Sequence, residues 1–109
     1  MSFVTTDETA KQAQGVSRTE LARALSTVNG AAEMERFLVD LCTPAELRAL
    51  SERWHVACLL DGTDMSYRDI NANTGVSTTT IGRVARFLKD EPHQGYRAVL
   101  DRLNLQKED

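Results

Sequence analysis

The 109-residue sequence has few of the residues that metal sites, disulfides and membrane spans require. Its two cysteines, Cys42 and Cys58, lie within helical patterns and lack the spacing of metal ligands. We interpret them as buried free thiols of a cytoplasmic protein. No stretch is long and apolar enough to cross a membrane, and the N-terminus lacks the basic and then apolar character of a signal peptide. We therefore expect no metal, no membrane association and a cytoplasmic location.

Histidine is also scarce, and basic residues are fewer than acidic ones, at 13 against 16. His55 and His93 are far apart in the sequence, and neither belongs to a recognisable catalytic constellation. We expect them to have packing or surface roles, and we expect neither enzymatic activity nor a cofactor. The formal net charge of −3 argues against a protein that coats any polyanion.

The sequence also lacks the polar and apolar alternation of β-strands. Apolar residues recur instead at spacings of three and four, which predicts an all-α protein of about six helices. We expect an N-terminal arm at residues 1–16, a helical domain at 17–105 and a polar tail at 106–109. The first predicted helix starts near Ser17 and stops at Asn29-Gly30. The other five predicted helices cover about residues 31–41, 44–60, 66–74, 78–89 and 94–103.

A helix-turn-helix is predicted at residues 66–89. Apolar residues recur at helical spacing on both sides of Gly75, and a glycine can adopt the left-handed conformation that ends a helix. Ser66 and Asp69 have the spacing of a capping box for the first helix, and Ser77 can cap the second.

The second helix of this motif carries different side chains on opposite stripes. One stripe is apolar and the other has hydroxyl, glycine and arginine residues: Ile81, Val84 and Leu88 on the first, and Thr79, Gly82, Arg83 and Arg86 on the second. Such a helix is suited to the DNA major groove, although two short helices around a glycine also occur in proteins that never contact nucleic acid. Charge favours DNA, because residues 66–89 contain four basic and one acidic residue, whereas the remainder contains nine basic and fifteen acidic residues.

We expect Arg86 and Thr79 to contact bases and the start of the first motif helix to bind phosphate. Gly82 either allows the backbone to approach the bases closely or has no function, at a cost of about 1 kcal/mol relative to alanine. The candidate DNA-binding residues are Ser66, Tyr67, Arg68, Ser77, Thr78, Thr79, Gly82, Arg83, Arg86 and Lys89.

Two runs of sequence resemble the tryptophan repressor family, and most closely its Trp-repressor-related (YerC/YecD-type) branch. They are LCTPAELRALSERW at 41–54 and MSYRDINANTGVSTTTIGRV at 65–84. The threonine-proline helix start, Arg53 and the motif itself are the specific parts, and Asn71 fits this family better than the alanine that is usual in other helix-turn-helix proteins. The resemblance covers about residues 20–103. It implies a bacterial, all-helical homodimer with intertwined N-terminal helices and paired helix-turn-helix units on operator DNA.

The resemblance also implies a possible effector cleft. Arg53, Arg83 and Thr80 match the family positions that hold the bound amino acid, so the role of Arg83 is shared between effector and DNA. Val84 and Phe87 replace the small glycine and serine that line the indole in the family, and we expect their side chains to fill that space. The resemblance therefore does not lead us to expect tryptophan or another small-molecule effector.

These observations predict a sequence-specific transcriptional regulator, acting as a repressor, that binds double-stranded DNA as a homodimer. Dimerisation is also expected because the first two short helices would be marginal alone. Two alternatives stay open. The chain could be a helical dimeric protein-interaction adaptor, or a regulator that responds to a different small-molecule effector.

Overall fold

A computed structural model of the chain describes residues 15–108. Within that range the chain forms six α-helices and no strand, which confirms the all-α prediction. The predicted arm at residues 1–16 lies almost entirely outside the described range. No helix among the described residues is long and apolar enough to cross a membrane. The helices are α1 (Arg18–Ser26), α2 (Gly30–Leu41), α3 (Pro44–Gly62), α4 (Tyr67–Thr74), α5 (Thr78–Lys89) and α6 (Gly95–Glu108).

The chain divides into two compact units, Met1–Leu41 and Cys42–Asp109. In the first unit, α1 ends at Ser26, earlier than the predicted stop at Asn29-Gly30. The hydroxyls of Ser26 and Thr27 donate to backbone carbonyls three residues earlier, at 2.7 and 2.8 Å. Because these hydroxyls satisfy carbonyls at the end of the helix, the helix closes before the glycine. Gly30 instead has a φ of 82° and is the first residue of α2.

Neither helix of the first unit contains a buried residue. The apolar side chains of Leu21, Val39 and Leu41 are 43%, 58% and 48% exposed. Short amphipathic helices depend for their stability mainly on burial of the apolar face. Residues 18–41 therefore present apolar surface that remains available for packing.

The second unit begins with the strongest helix start in the chain. The Thr43 hydroxyl accepts from the Glu46 amide at 3.1 Å, and the Glu46 carboxylate accepts from the Thr43 amide at 2.9 Å, which is a complete capping box. Pro44 occupies the first turn, where no amide donor is needed. The resulting helix α3 has 19 residues and is the longest of the six described helices, as predicted.

Helix α5 is the centre of the second unit. It packs against α3, α4 and α6. The main core cluster is drawn from α3, α4, α5 and the turn between the last two: Val56, Ala57, Ile70, Val76, Ile81 and Val84. Ala85, Leu88 and Leu100 are also buried. The predicted apolar stripe of α5 is buried, since Ile81, Val84 and Leu88 are 0%, 1% and 5% exposed. The opposite stripe is thereby fixed at the surface.

Helix α6 is tied to α3 by a charged contact. The Arg97 guanidinium donates to both carboxylate oxygens of Asp61, at 2.9 and 3.2 Å, and also to Asp101. The hydrogen bonds from Arg97 hold the pKa of Asp61 below its ordinary value. The helix continues to Glu108, beyond the predicted end at Leu103, so residues 106–108 of the predicted tail are helical. No glycine or proline follows Leu103 to stop the helix.

Candidate nucleic-acid interface

The helix-turn-helix forms where the sequence places its caps. The Ser66 hydroxyl accepts from the Asp69 amide at 3.1 Å, and the Asp69 carboxylate accepts from the Ser66 amide at 3.2 Å. Gly75 has a φ of 79°, in the left-handed region that glycine adopts without strain, and it ends α4. Val76 is 4% exposed between the two helices. These features confirm the predicted local structure of the motif.

Two polar side chains hold the turn through hydrogen bonds to its backbone. The Asn71 side-chain amide donates to the Val76 carbonyl at 2.8 Å, which links α4 to the turn that precedes α5. The Thr74 hydroxyl donates to the Ile70 carbonyl at 2.7 Å and accepts from the Val76 amide at 3.1 Å. Sequence patterns marked Asn71 as unusual but did not assign it this role. The arrangement of the two motif helices is therefore fixed by hydrogen bonds as well as by apolar packing.

The ten candidate DNA-binding residues lie at the surface of the motif. Gly82 is partly exposed and the other nine are exposed: Ser66, Tyr67, Arg68, Ser77, Thr78, Thr79, Arg83, Arg86 and Lys89. Ser66 and Ser77 use their hydroxyls to cap α4 and α5, with the Ser77 hydroxyl accepting from the Thr80 amide at 3.2 Å. Accepting a hydrogen bond leaves the O–H of Ser66 available as a donor, whereas the O–H of Ser77 donates to the Thr80 hydroxyl at 3.1 Å. Helix α5 is therefore amphipathic, with a buried apolar side and an exposed polar side.

Phe87 lies at the centre of a charged and aromatic cluster. The Arg83 and Arg86 guanidinium carbons lie 4.2 and 5.0 Å from the centroid of the Phe87 ring. The His93 ring stacks on Phe87 with a centroid distance of 6.1 Å and an interplanar angle of 9°. Arg86 Nε lies 3.4 Å from Glu91 Oε2. Cations are attracted to aromatic faces, so the Phe87 ring stabilises the observed positions of both guanidinium groups.

Gly82 is the one glycine within α5, and space is open around it. A methyl group built on its Cα would meet no atom within 4 Å outside the local backbone of the helix. Packing inside the folded chain therefore does not explain the glycine. The functional interpretation of Gly82 is that it allows another molecule to approach this part of the helix closely.

The predicted effector cleft is only partly assembled in the chain. Arg83, Val84 and Phe87 line a cavity of about 440 Å³, whose other walls are Trp54, His93, Gly95, Tyr96 and Val99. Arg53 and Thr80 are not part of its lining. The Thr80 hydroxyl instead accepts a hydrogen bond from Ser77 at 3.1 Å. Val84 and Phe87 therefore border open space rather than filling all of it.

Comparison with known proteins identifies the family. The Trp repressor protein family matches residues 17–104, which is most of the chain and includes all six described helices except the end of α6. The chain belongs to the Trp repressor family. The uncharacterized YerC protein of Bacillus subtilis is 34% identical over 90 residues, which cover 83% of this chain and 85% of that protein.

Two crystal structures have the same fold as this chain. One is of a Staphylococcus aureus protein solved as a proposed Trp repressor, with 35% identity and a TM-score of 0.73, covering 87% of this chain and 93% of that one. The other is of a TrpR-like protein from Eubacterium eligens, with 34% identity and a TM-score of 0.72, covering 91% and 96%. The resemblance seen in the sequence is thereby confirmed over nearly the whole chain.

Proposed function

We propose that this Trp repressor family member is a sequence-specific DNA-binding transcriptional regulator that acts as a repressor. Family membership points to a DNA-binding regulator, and the exposed basic stripe of α5 is the observation that carries the proposal. Arg83, Arg86 and Lys89 are exposed on a helix whose opposite side is packed into the core. The rest of the chain is acidic. A basic face in such a chain is suited to binding an anionic partner such as DNA.

The regulator acts as a homodimer in this proposal. The apolar surface of α1 and α2 supports it, because these helices have no buried residue in the described chain and need further packing. A two-fold dimer presents two recognition helices about one DNA turn apart, roughly 34 Å, and therefore binds a palindromic operator. α5 would enter the major groove with Arg86 and Thr79 against bases and the start of α4 against a phosphate.

Regulation by tryptophan is not part of the proposal. Val84 is 1% exposed and belongs to the core cluster, and Phe87 is held between two arginines and His93. Large side chains at these two positions give α5 packing that small residues could not supply. The recognition helix is therefore supported by the chain itself, without a bound corepressor.

A second candidate is a regulator with a different small effector. The cavity beside Val84 is lined largely by aromatic rings, with one cation, Arg83, in its wall. Such a lining would suit a small aromatic acid. A shift of DNA affinity on adding a panel of such acids would favour this candidate, and an unchanged affinity would favour effector independence.

The salt dependence of DNA binding tests the electrostatic basis of the proposal. If the four basic residues of each protomer's motif each met a phosphate, the logarithm of affinity would fall against the logarithm of salt concentration with a slope of up to about −7 for a dimer. With Arg86 on a base instead, the slope should be about −5. Fluorescence anisotropy of a labelled duplex, titrated between low and near-physiological salt, measures this slope. A slope near zero would contradict DNA binding through this face and favour a protein-interaction adaptor.

A further inference from the structure

The turn after α5 brings a carboxylate back onto a recognition arginine. The backbone amides of Asp90 and Glu91 both donate to the Arg86 carbonyl, at 2.8 and 3.1 Å. The Gln94 side-chain amide donates to the Glu91 carbonyl at 2.8 Å, which fixes the far side of the same turn. Glu91 is therefore held next to Arg86 by the backbone, and Oε2 of its carboxylate lies 3.4 Å from Arg86 Nε.

This contact engages one edge of the guanidinium. A guanidinium has five N–H donors, one on Nε and four on the two Nη atoms. Within the described residues, the one ion pair of Arg86 is made through Nε, and neither Nη atom makes a hydrogen bond to another described residue. The Phe87 ring lies beneath the same group, with its centroid 5.0 Å from the Arg86 Cζ. The arginine side chain is 58% exposed but has supports on two sides.

Two ligands compete for such an arginine on DNA. A guanine presents O6 and N7, which match a pair of guanidinium donors, whereas a phosphate attracts any accessible cation. A carboxylate beside the guanidinium repels phosphate but leaves the Nη donors available to a base edge. The Glu91 carboxylate therefore opposes backbone clamping more than it opposes base recognition.

We propose that Glu91 is a specificity-determining residue that positions Arg86 as a two-donor fork for a guanine in each half-site. This inference rests on the proposed DNA-binding function and deepens it. Glu91 itself touches no base. It acts through Arg86, by restricting the orientation of the guanidinium and by keeping it off the phosphates.

The test compares four versions of the full chain: wild type, Glu91→Gln, Asp90→Asn and Arg86→Lys. Asp90→Asn is the matched control, because it removes the same charge one residue away from a side chain that makes no ion pair with Arg86. Each protein is titrated by fluorescence anisotropy against a duplex enriched from a random library by the wild type and against a shuffled duplex. Both titrations are repeated at several salt concentrations, and circular dichroism melts check that each variant folds.

Glu91→Gln should lower the ratio of specific to shuffled affinity by about three- to tenfold. The loss should come mostly from tighter binding to the shuffled duplex, with a salt slope steeper by up to about 0.9 per protomer as Arg86 moves onto a phosphate. Asp90→Asn should leave the ratio unchanged. Arg86→Lys should weaken the preference for guanine at one position of each half-site while keeping the salt slope, because lysine retains the charge and can donate to O6 and N7 but lacks the fixed fork.

An unchanged ratio in Glu91→Gln would overturn the inference, as would an equal change in Asp90→Asn, which would show a general charge effect. A guanine preference that is undiminished in Arg86→Lys would overturn it too. These failures differ from a failure of the proposed function. If the wild-type protein enriches no sequence and binds both duplexes equally, DNA reading itself is rejected and the inference falls with it.

Discussion

Replacing both Arg83 and Arg86 by glutamate should lower the affinity for a specific duplex by at least about a thousandfold. Both arginines are exposed on α5, and a homodimer would present four of them to DNA. Each good arginine contact with a base contributes about 1–3 kcal/mol, and each lost phosphate contact also forfeits counterion release. The glutamates would add repulsion from the phosphates. Anisotropy titration of a labelled operator duplex measures the loss.

The control reverses the same amount of charge elsewhere. Arg48 on α3 and Arg102 on α6 are exposed, and neither belongs to the helix-turn-helix. Their double replacement by glutamate should weaken binding only a few-fold, through the general field of the protein. If this control weakens binding as much as the α5 pair, the basic stripe is not the DNA-binding face. Full retention of DNA affinity in the α5 variant would favour the adaptor function instead.

Replacing Gly82 by alanine should have opposite effects on stability and on DNA binding. Alanine is favoured over glycine within a helix by about 1 kcal/mol, and the added methyl meets nothing in the folded chain, so the free energy of unfolding should rise by about that amount. On DNA the methyl would stand between the backbone of α5 and the bases. Overpacking of a close interface costs about 1–3 kcal/mol for each protomer, so the affinity of a dimer should fall by at least about 30-fold. Urea denaturation and anisotropy titration measure the two effects on one protein sample.

Gly62 offers a matched substitution at a distance from the motif. It is the last residue of α3, it has ordinary backbone angles, and a methyl group there also meets nothing within 4 Å. Gly62→Ala should leave DNA affinity unchanged. If Gly82→Ala stabilises the fold and keeps full DNA affinity, the backbone of α5 does not approach the bases closely at this point, and Gly82 has no role in recognition.

The helix-turn-helix was predictable from sequence because its determinants are local. The structure shows each of the predicted caps and the left-handed helix end in its role, at Ser66, Asp69, Gly75 and Ser77. Each of these residues acts on backbone groups only a few positions away in the sequence. The apolar stripe of α5 was equally predictable, since the buried positions of an amphipathic helix recur with a period of 3.6 residues. Once that stripe faces the core, the position of the basic stripe at the surface follows.

The parts that were not predictable depend on contacts without a period. The bond from Asn71 to the Val76 carbonyl crosses the turn, and the approach of Glu91 to Arg86 depends on how the chain folds back after α5. The early end of α1 was missed because the hydroxyl of Ser26 competed with a glycine stop signal further along the chain. Residue patterns indicate which side chains are polar, but they do not say which backbone carbonyl lies within reach.

The cavity beside α5 shows the same limit at the candidate effector site. The large side chains of Val84 and Phe87 were expected to fill the space in which the family holds its ligand. Val84 does belong to the core, but Phe87 contacts Arg83, Arg86 and His93, and both side chains still border the cavity. The volume of a side chain can be inferred from sequence, whereas the direction in which it packs depends on neighbours from other helices.

The most direct test of the central claim is selection from a random duplex library by the purified full chain, at near-physiological salt and with no added small molecule. Sequencing of the bound pool should reveal a palindrome whose half-sites lie about one DNA turn, roughly 34 Å, apart. That result would establish a dimeric regulator that reads DNA without a corepressor. A pool with no enriched sequence, under conditions in which the protein is folded, would contradict the account.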